Sequence, residues 1–407
     1  MRPSTSSARW RRGPRHELAA LVLAGALVLA ASGCGRLGMY DLYTAPAFWI
    51  DNVESGAPYT GEFEFEGIDL APDGSAWVVG DKFLLHADGE GLEVVFANPG
   101  GHRVQSLRTI SATETSVWVG GSQRWDQTTA VIWRRVNGEW RPEPEVQGLS
   151  TRDRTVYELE FASDDHGLAV LYDLRRRESE LARFDGSRWH PVALPAAHVK
   201  GIHVCQSRGQ FLAALAPARA AAVYRLDGDQ WQAESLPIGT GIEGELVLPR
   251  IACLADGSVV VAAGFRRSPD ADPERWQLYR RQADGVWQEL PFPMEYHSVG
   301  AFAIGGASAD DLWISGRCLG CPPSLLHYSG GRWSKVDVPA LPGGRRNGYS
   351  IYAIAFRGAG DGWAVGEDTM VHGTVRGIVF RYRLNEWQYR PWSWRFWNQP
   401  LWGLIGD

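Results

Sequence analysis

The chain has 407 residues, 44% hydrophobic and 22% charged, which is enough apolar side chain for a sizeable core and the wrong balance for a disordered protein. A formal charge of -6, from 41 Lys and Arg against 47 Asp and Glu, excludes the basic footprint of a nucleic-acid binder. Only three Lys (Lys82, Lys200, Lys335) stand beside 38 Arg, so runs of Arg reflect a GC-rich coding bias before they reflect a site.

The first element is an address. Arg2, Arg9, Arg11, Arg12 and Arg15 precede an uncharged stretch from Leu18 to Gly33, the layout of an export signal. The apolar run is shorter than the roughly 18 to 20 residues of a spanning helix, and it ends in small residues before a cysteine. Ala31-Ser32-Gly33-Cys34 resembles the lipobox of bacterial lipoproteins, with Ala31 where leucine is usual. The resemblance implies cleavage after residue 33 and a diacylglyceryl group on the Cys34 sulfur. Gly35, where Asp would retain the protein at the inner membrane, implies the outer membrane, on a face the sequence leaves open. An ordinary cleaved signal and an uncleaved anchor are the alternatives. Removing residues 1–33 leaves 36 basic and 46 acidic side chains, a charge near -10. Such a body gains nothing from anionic lipid, so attachment rests on the acyl chains, at about 0.8 kcal/mol per buried methylene.

Residues 34–61 read as a lipidated N-terminus and tether. From 62 to 395 one phrase recurs: an alternating strand, a Gly/Asp/Ser turn, a second strand often carrying Trp, a variable loop, a third strand, a tight turn and a Trp. Its close appears as VNGEW at Trp140, FDGSRW at Trp189, LDGDQW at Trp231, ADGVW at Trp287, YSGGRW at Trp333 and LNEW at Trp387, with a mean interval near 49 residues. Its opening half appears seven times, as in DGSAWVVG at Trp77, ETSVWVGG at Trp118, DDLWISG at Trp313 and DGWAVG at Trp363. That period belongs to propellers, and each copy has room for four short strands with hairpin turns. The predicted fold is all-β: a single seven-bladed propeller of four-stranded antiparallel blades, preceded by a lipoprotein signal peptide. One Trp per blade is a large flat wedge whose indole N–H can reach a carbonyl of the adjacent blade. Residues 396–407, LWGLIGD at their end, read as a ring-closing segment against the first blade, with an aromatic ligand platform as the alternative for Trp392, Trp394, Trp397 and Trp402.

The turns FDGSRW, LDGDQW and ADGVW are similar to abbreviated Asp boxes of the BNR-repeat and photosystem-assembly-factor-like propellers. The similarity spans about residues 62 to 395 and concerns fold; regular Ser/Thr positions of the full Asp box are absent. Sialidases also carry Asp boxes, and their resemblance implies an Arg cluster with a Tyr/Glu pair; Arg108, Arg250, Tyr157 and Glu158 fall on predicted inner strands. The opening arginine motif of those enzymes is missing. The ten His form no HxH, HExxH or CxxCH pattern, and Asp270, Asp272 and Glu274 lack the glycine of a calcium loop. The reading is therefore without catalytic residues, metal or cofactor: a non-enzymatic protein-binding or scaffold module of the cell envelope, partnered by an envelope protein or glycan. An envelope glycan-acting hydrolase with its site at the central channel mouth is the alternative.

Apart from Cys34, the cysteines suit an oxidising compartment. Cys318 and Cys321 lie in one loop, where a local disulfide, free thiols or a metal are the options. Cys205 and Cys253 occupy nearly equivalent inner-strand positions of consecutive blades, and could staple them if their Cα atoms approach within about 7 Å. If the strands run in the order proposed, the loops after each second strand share one face. These carry Arg124, Trp125 and Asp126; Arg175, Arg176 and Arg177; Arg266 and Arg267; the Cys318 loop; and Asp368 with His372. Binding residues concentrate on loops of rigid scaffolds, and Trp among Arg has hot-spot composition; the alternative is solvated insertions.

Overall fold

The computed structural model describes residues 65–390 apart from the connecting segments 81–82, 88–91, 98–103, 125–127, 144–149, 197–198, 200–201, 216–221, 239–244, 267–274, 294–300, 302, 317–323, 340–348 and 372–373. Signal, tether and C-terminal segment (1–33, 34–61 and 396–407) lie outside them, so those boundaries stay expectations. The described residues form seven four-stranded antiparallel sheets, each built from consecutive strands in chain order. Seven blades were expected, and seven are found.

Local sequence explains which strand lies where. Second strands are sandwiched between two neighbouring blades, so they read as near-continuous apolar runs: AWVVG at 76–80 is buried throughout, and QFLAAL at 210–215 nearly so. Outer strands are mostly exposed, with the tryptophan and the last residue partly buried, as in QWQAE at 230–234 and RWSKV at 332–336. The tight turns use Asp chemistry: the Asp73, Asp185 and Asp256 carboxylates each accept the N–H two residues on, at 2.8, 2.9 and 2.8 Å.

Among the described residues there is no central apolar core. Instead the buried apolar side chains fall into seven clusters, one at every junction between adjacent blades, including the junction of the last with the first. The two tryptophans of the repeat meet across these junctions. Trp118, in the second strand of blade 2, lies 6.3 Å edge-on from Trp189, in the outer strand of blade 3; Trp313 and Trp387 repeat the arrangement at 5.4 Å between blades 6 and 7. The expected indole bond to the adjacent blade is made by two outer-strand tryptophans, Trp231 Nε1 donating to Ala193 O at 3.1 Å and Trp333 Nε1 to Pro291 O at 2.5 Å, each in the preceding blade's exit segment, whereas the buried Nε1 atoms of Trp118, Trp189, Trp313 and Trp387 have no hydrogen-bond partner among the described residues. The other face of each second-strand indole is covered by its cross-strand partner. His86 lies on Trp77, Arg134 on Trp118, His327 on Trp313 and Arg381 on Trp363, at 4.2, 4.4, 4.0 and 4.9 Å. These histidines are packing partners, because the pairing register sets them opposite a tryptophan.

Among the described residues no strand is exchanged between the first and last blades. Blade 1 comes wholly from 67–97 and blade 7 from 349–389, and Phe65, fully buried, joins them: its N–H donates to Gly366 O at 3.3 Å and its ring packs with Trp363, Val365 and Val379.

Candidate functional site

The first strand of every blade is the innermost, in contact with the first strand of the next around the whole ring. These strands are Gly67–Leu70, Val104–Ala112, Arg154–Ser163, Ile202–Ser207, Glu245–Cys253, Ala303–Ser308 and Tyr349–Gly358. Neighbouring inner strands are fastened by side chains of one to the backbone of the next. Asp69 accepts from Ala112 N at 2.7 Å, Thr109 from Leu159 N at 2.9 Å, Ser111 from Phe161 N at 3.1 Å, Glu158 from Val204 N at 2.9 Å and Glu160 from Gln206 N at 3.0 Å. Partner numbers rise together along both strands (109 with 159, 111 with 161; 158 with 204, 160 with 206), so the inner strands run parallel. It follows that the loops after the second strands and the crossings between blades leave on one face, and the Asp-Gly turns on the other.

Of the loop-face residues singled out by sequence, Arg175 is described. It is exposed in a turn that Asp173 organises, its carboxylate accepting from the N–H groups of Arg175 at 2.9 Å and Arg176 at 2.8 Å, and its Nε pairs with Asp153 at 2.9 Å. Beneath it Arg154 is buried against Glu180 and Asp173 at 2.7 and 3.3 Å. Arg124 and Arg266 end the second strands of blades 2 and 5, with their side chains outside the described residues. Trp125, Asp126, Arg267, Cys318 and Cys321 lie outside them altogether, as do Cys34 and the Asp270 run. Cys205 and Cys253 are disulfide-bonded, with Cα atoms 5.6 Å apart, stapling the inner strands of blades 4 and 5.

Arg108, Tyr157, Glu158 and Arg250 all lie on inner strands, as expected, but how they are presented was not legible in the sequence. Four inner strands break register at one level. Arg108 is inserted between the partners of Gly120 and Gly121, Tyr157 between those of Val170 and Leu171, Tyr352 between those of Val365 and Gly366, and Leu248 with Pro249 between those of Ala262 and Gly264. Bulges of this kind re-aim side chains. Pro249, lacking an N–H, suits an unpaired position. At two of the bulges the facing strand needs glycine for close approach: a Cβ on Gly121 would sit 2.0 Å from Ser106 O, and one on Gly366 1.8 Å from Ser350 O.

At the same end of the strands, Arg108 Nε lies 3.9 Å from Glu66, Tyr352 donates to Glu367 at 2.5 Å, and Arg250 NH1 lies 3.3 Å from His203 Nδ1, itself 3.4 Å from Glu158 Oε2. Burial, with the Arg250 charge behind it, pushes the His203 imidazole below its ordinary range, so it stands neutral at pH 7 with Nδ1 facing both Arg250 and Glu158. His203, Glu66, Tyr352 and Glu367 were not anticipated; the alternation of strands carries no mark of which polar residue meets a channel. Further along, Asp69 and Glu160 form a second polar level. Burial pushes the Asp69 carboxyl up to about 6 against the opposing bonds from Ala112, Leu70 and Ser111. Burial raises Glu160 well above the usual carboxylate range, with Asp69 and then Glu158 adding repulsion.

A carboxyl raised in the folded state contributes stability that is complete below its unfolded value and lost as pH rises through its folded one. Between about pH 4 and pH 7, wild type should therefore gain stability on acidification relative to Asp69→Asn, by roughly 2 kcal/mol. Urea unfolding of both chains at three pH values checks this, and a pH-independent difference between them would count against it.

Among the described residues no group of three or more His, Cys, Asp or Glu is placed to hold a metal ion, and no helix is long and apolar enough to cross a membrane. No protein-family profile and no curated protein matches the sequence. Solved structures do. The chain is similar to one of two prolyl endopeptidases studied together (TM-score 0.52, 11% identity, 81% of this chain and 50% of that one). It is equally similar to the GH74 xyloglucanase from Xanthomonas campestris (TM-score 0.52, 15% identity, 83% of this chain and 55% of that one). The chain thus spans about half the length of each, and likeness at this identity concerns the β-propeller fold alone.

Proposed function

We propose that the chain is an exported, lipid-anchored, non-enzymatic binding module of the cell envelope, tethered through Cys34 at the outer membrane and engaging an envelope protein or glycan with its loop face. The observation that carries the reading is the use of the channel carboxylates. Asp69, Glu158 and Glu160 each accept a backbone N–H from the next blade, which makes them fasteners of the ring rather than an acid and base waiting for a substrate. Meanwhile the long connections gather on one face of a rigid disc, where binding residues concentrate. The disulfide between Cys205 and Cys253 supports export to an oxidising compartment.

The experiment has two arms. Cys34→Ala should leave the precursor uncleaved or release the protein from detergent-extracted membrane; normal processing with unchanged membrane association counts against the anchor. In affinity capture from envelope fractions, Trp125→Ala and the pair Arg266→Ala, Arg267→Ala should weaken recovery of the partner about tenfold with thermal stability nearly unaltered. Asp185→Ala and Asp227→Ala, in turns of the opposite face, should affect folding instead. Capture that survives every loop change and fails with the turn changes places the binding face on the wrong side.

The second reading, a glycan-acting hydrolase at the channel mouth, draws on the approach of Arg250, His203 and Glu158 beside Tyr157. It predicts release of reducing sugar ends from envelope polysaccharides and loss of that release in Glu158→Gln.

A further inference from the structure

The level of bulges in the inner strands has features that bear on the ligand of the proposed binding module. Tyr157 is 36% exposed although it lies within an innermost strand, where the solvent to be met is that of the channel. It is one of four large apolar or aromatic side chains exposed among the described residues. Its ring centroid is 5.8 Å from that of His203, so the ring is flanked on one side and open on another. Tyr352, the corresponding inserted residue of blade 7, comes from the far side of the ring and carries its hydroxyl against Glu367.

Charge narrows the class of occupant. Among the described residues this level holds two guanidinium groups, Arg108 and Arg250, against three carboxylates, Glu66, Glu158 and Glu367, with His203 neutral. An anion would meet a net negative wall. A cation would meet carboxylates that already hold donors: Arg108 beside Glu66, Tyr352 on Glu367, and Val204 N–H on Glu158. What remains is an occupant whose own polar groups both donate and accept, so that it can join such pairs without breaking their balance. Hydroxyl groups do this. Planar guanidinium and carboxylate groups present two atoms at a spacing that suits adjacent hydroxyls, and an open tyrosine ring suits the C–H face of a pyranose. Deeper along the strands the polar atoms of Asp69, Ser111 and Glu160 are taken by backbone N–H groups of adjoining blades, so the hydroxyl partners lie at the loop-face end.

We infer that the loop-face end of the channel holds a terminal sugar unit of a neutral glycan, with Tyr157 as its stacking ring and the Arg108–Glu66, Tyr352–Glu367 and Arg250–His203–Glu158 groups as hydrogen-bonding partners. This rests on the binding-module reading above and supplies its ligand class; binding is non-hydrolytic, Glu158 remaining a fastener of the ring and Glu66 and Glu367 remaining paired with Arg108 and Tyr352.

The test uses the full-length, detergent-solubilised protein with three neutral disaccharides (cellobiose, lactose, chitobiose), one anionic sugar (glucuronate) and one cationic sugar (glucosamine), read by saturation-transfer NMR and calorimetry. At least one neutral disaccharide should bind, with transfer strongest at one terminal ring. Tyr157→Ala should weaken it about tenfold, Tyr157→Phe should hold it within about threefold, and Tyr352→Phe should weaken it about fivefold. Thermal melts identify folded variants, and Tyr352→Phe serves if Tyr157→Ala unfolds. The inference is overturned if no neutral disaccharide binds at about 10 mM, if glucuronate or glucosamine binds in preference, or if binding is indifferent to both tyrosines. Sugar release from a bound disaccharide overturns its non-hydrolytic part. Partner capture through the loops without any sugar binding sinks this inference and leaves the binding module standing; failure of both sinks the parent reading.

Discussion

Trp118→Ala should lower the unfolding free energy by about 3–5 kcal/mol, among the largest effects of any single change in this chain. The indole is fully buried between blades 2 and 3, stacked on Phe161 at 4.0 Å, edge-on to Phe184 at 5.0 Å and to Trp189 at 6.3 Å, with the Arg134 guanidinium 4.4 Å over its ring. Its removal opens a void in a junction that has no larger core to relax into, because each cluster of the ring serves only its own pair of blades. Trp118 Nε1 has no hydrogen-bond partner, so the loss is one of packing and of the cation over the ring. Trp118→Phe, which keeps a ring on Phe161, should therefore recover more than half of the loss. Guanidinium chloride unfolding measures both. A loss below about 1 kcal/mol for Trp118→Ala would mean that the blades are held by their inner-strand fasteners and not by these wedges.

Removal of the staple is the second large effect. The Cys205–Cys253 bond spans 48 residues of sequence and joins consecutive inner strands, so opening it frees a long loop in the unfolded chain. Loop-closure entropy puts its contribution at about 4 kcal/mol. The double change Cys205→Ala, Cys253→Ala should lose most of that, as should wild type unfolded under reductant. Both sulfurs lie within the cluster that joins blades 4 and 5, so part of the loss in the double variant is packing; comparison with the reduced wild type separates the two. Non-reducing peptide mapping of exported protein tests the pairing directly, and also reports whether Cys318 is linked to Cys321. Four free thiols in exported protein would sink both the staple and the compartment argument.

The fold was legible because the repeat writes it many times over. A phrase of about 49 residues with turn chemistry at fixed places leaves little choice but a four-stranded unit, and a unit that cannot cover both its faces must stack into a ring. Even the staple was readable, since Cys205 and Cys253 precede their second strands by nearly the same number of residues. The site was legible in part. Arg108, Tyr157, Glu158 and Arg250 could be assigned to inner strands from the same register, and Arg175 to a turn. Nothing in the sequence marked the bulges, because an inserted residue leaves the apolar pattern of the facing strand intact, as Val170-Leu171 opposite Tyr157 shows.

The sequence by itself determined the architecture: seven blades, their strand order, the tryptophan on the outer edge of every blade after the first, and the face on which each kind of connection emerges. These follow from local propensity and period, which act within one repeat and need no partner. Only the tertiary structure decided which polar residues became what. Glu158 and Glu160 differ by one step of the strand period from each other and by none in composition from a solvated pair, yet both are committed to backbone N–H groups of the next blade. His203 is neutral through its burial beside Arg250, and His327 is a cover for Trp313. The roles of Glu158, Glu160 and His203 depend on what the neighbouring blade presents across the junction, some 46 to 50 residues away along the chain, a distance set by ring closure, whereas His327 is set opposite Trp313 by strand pairing within its own blade.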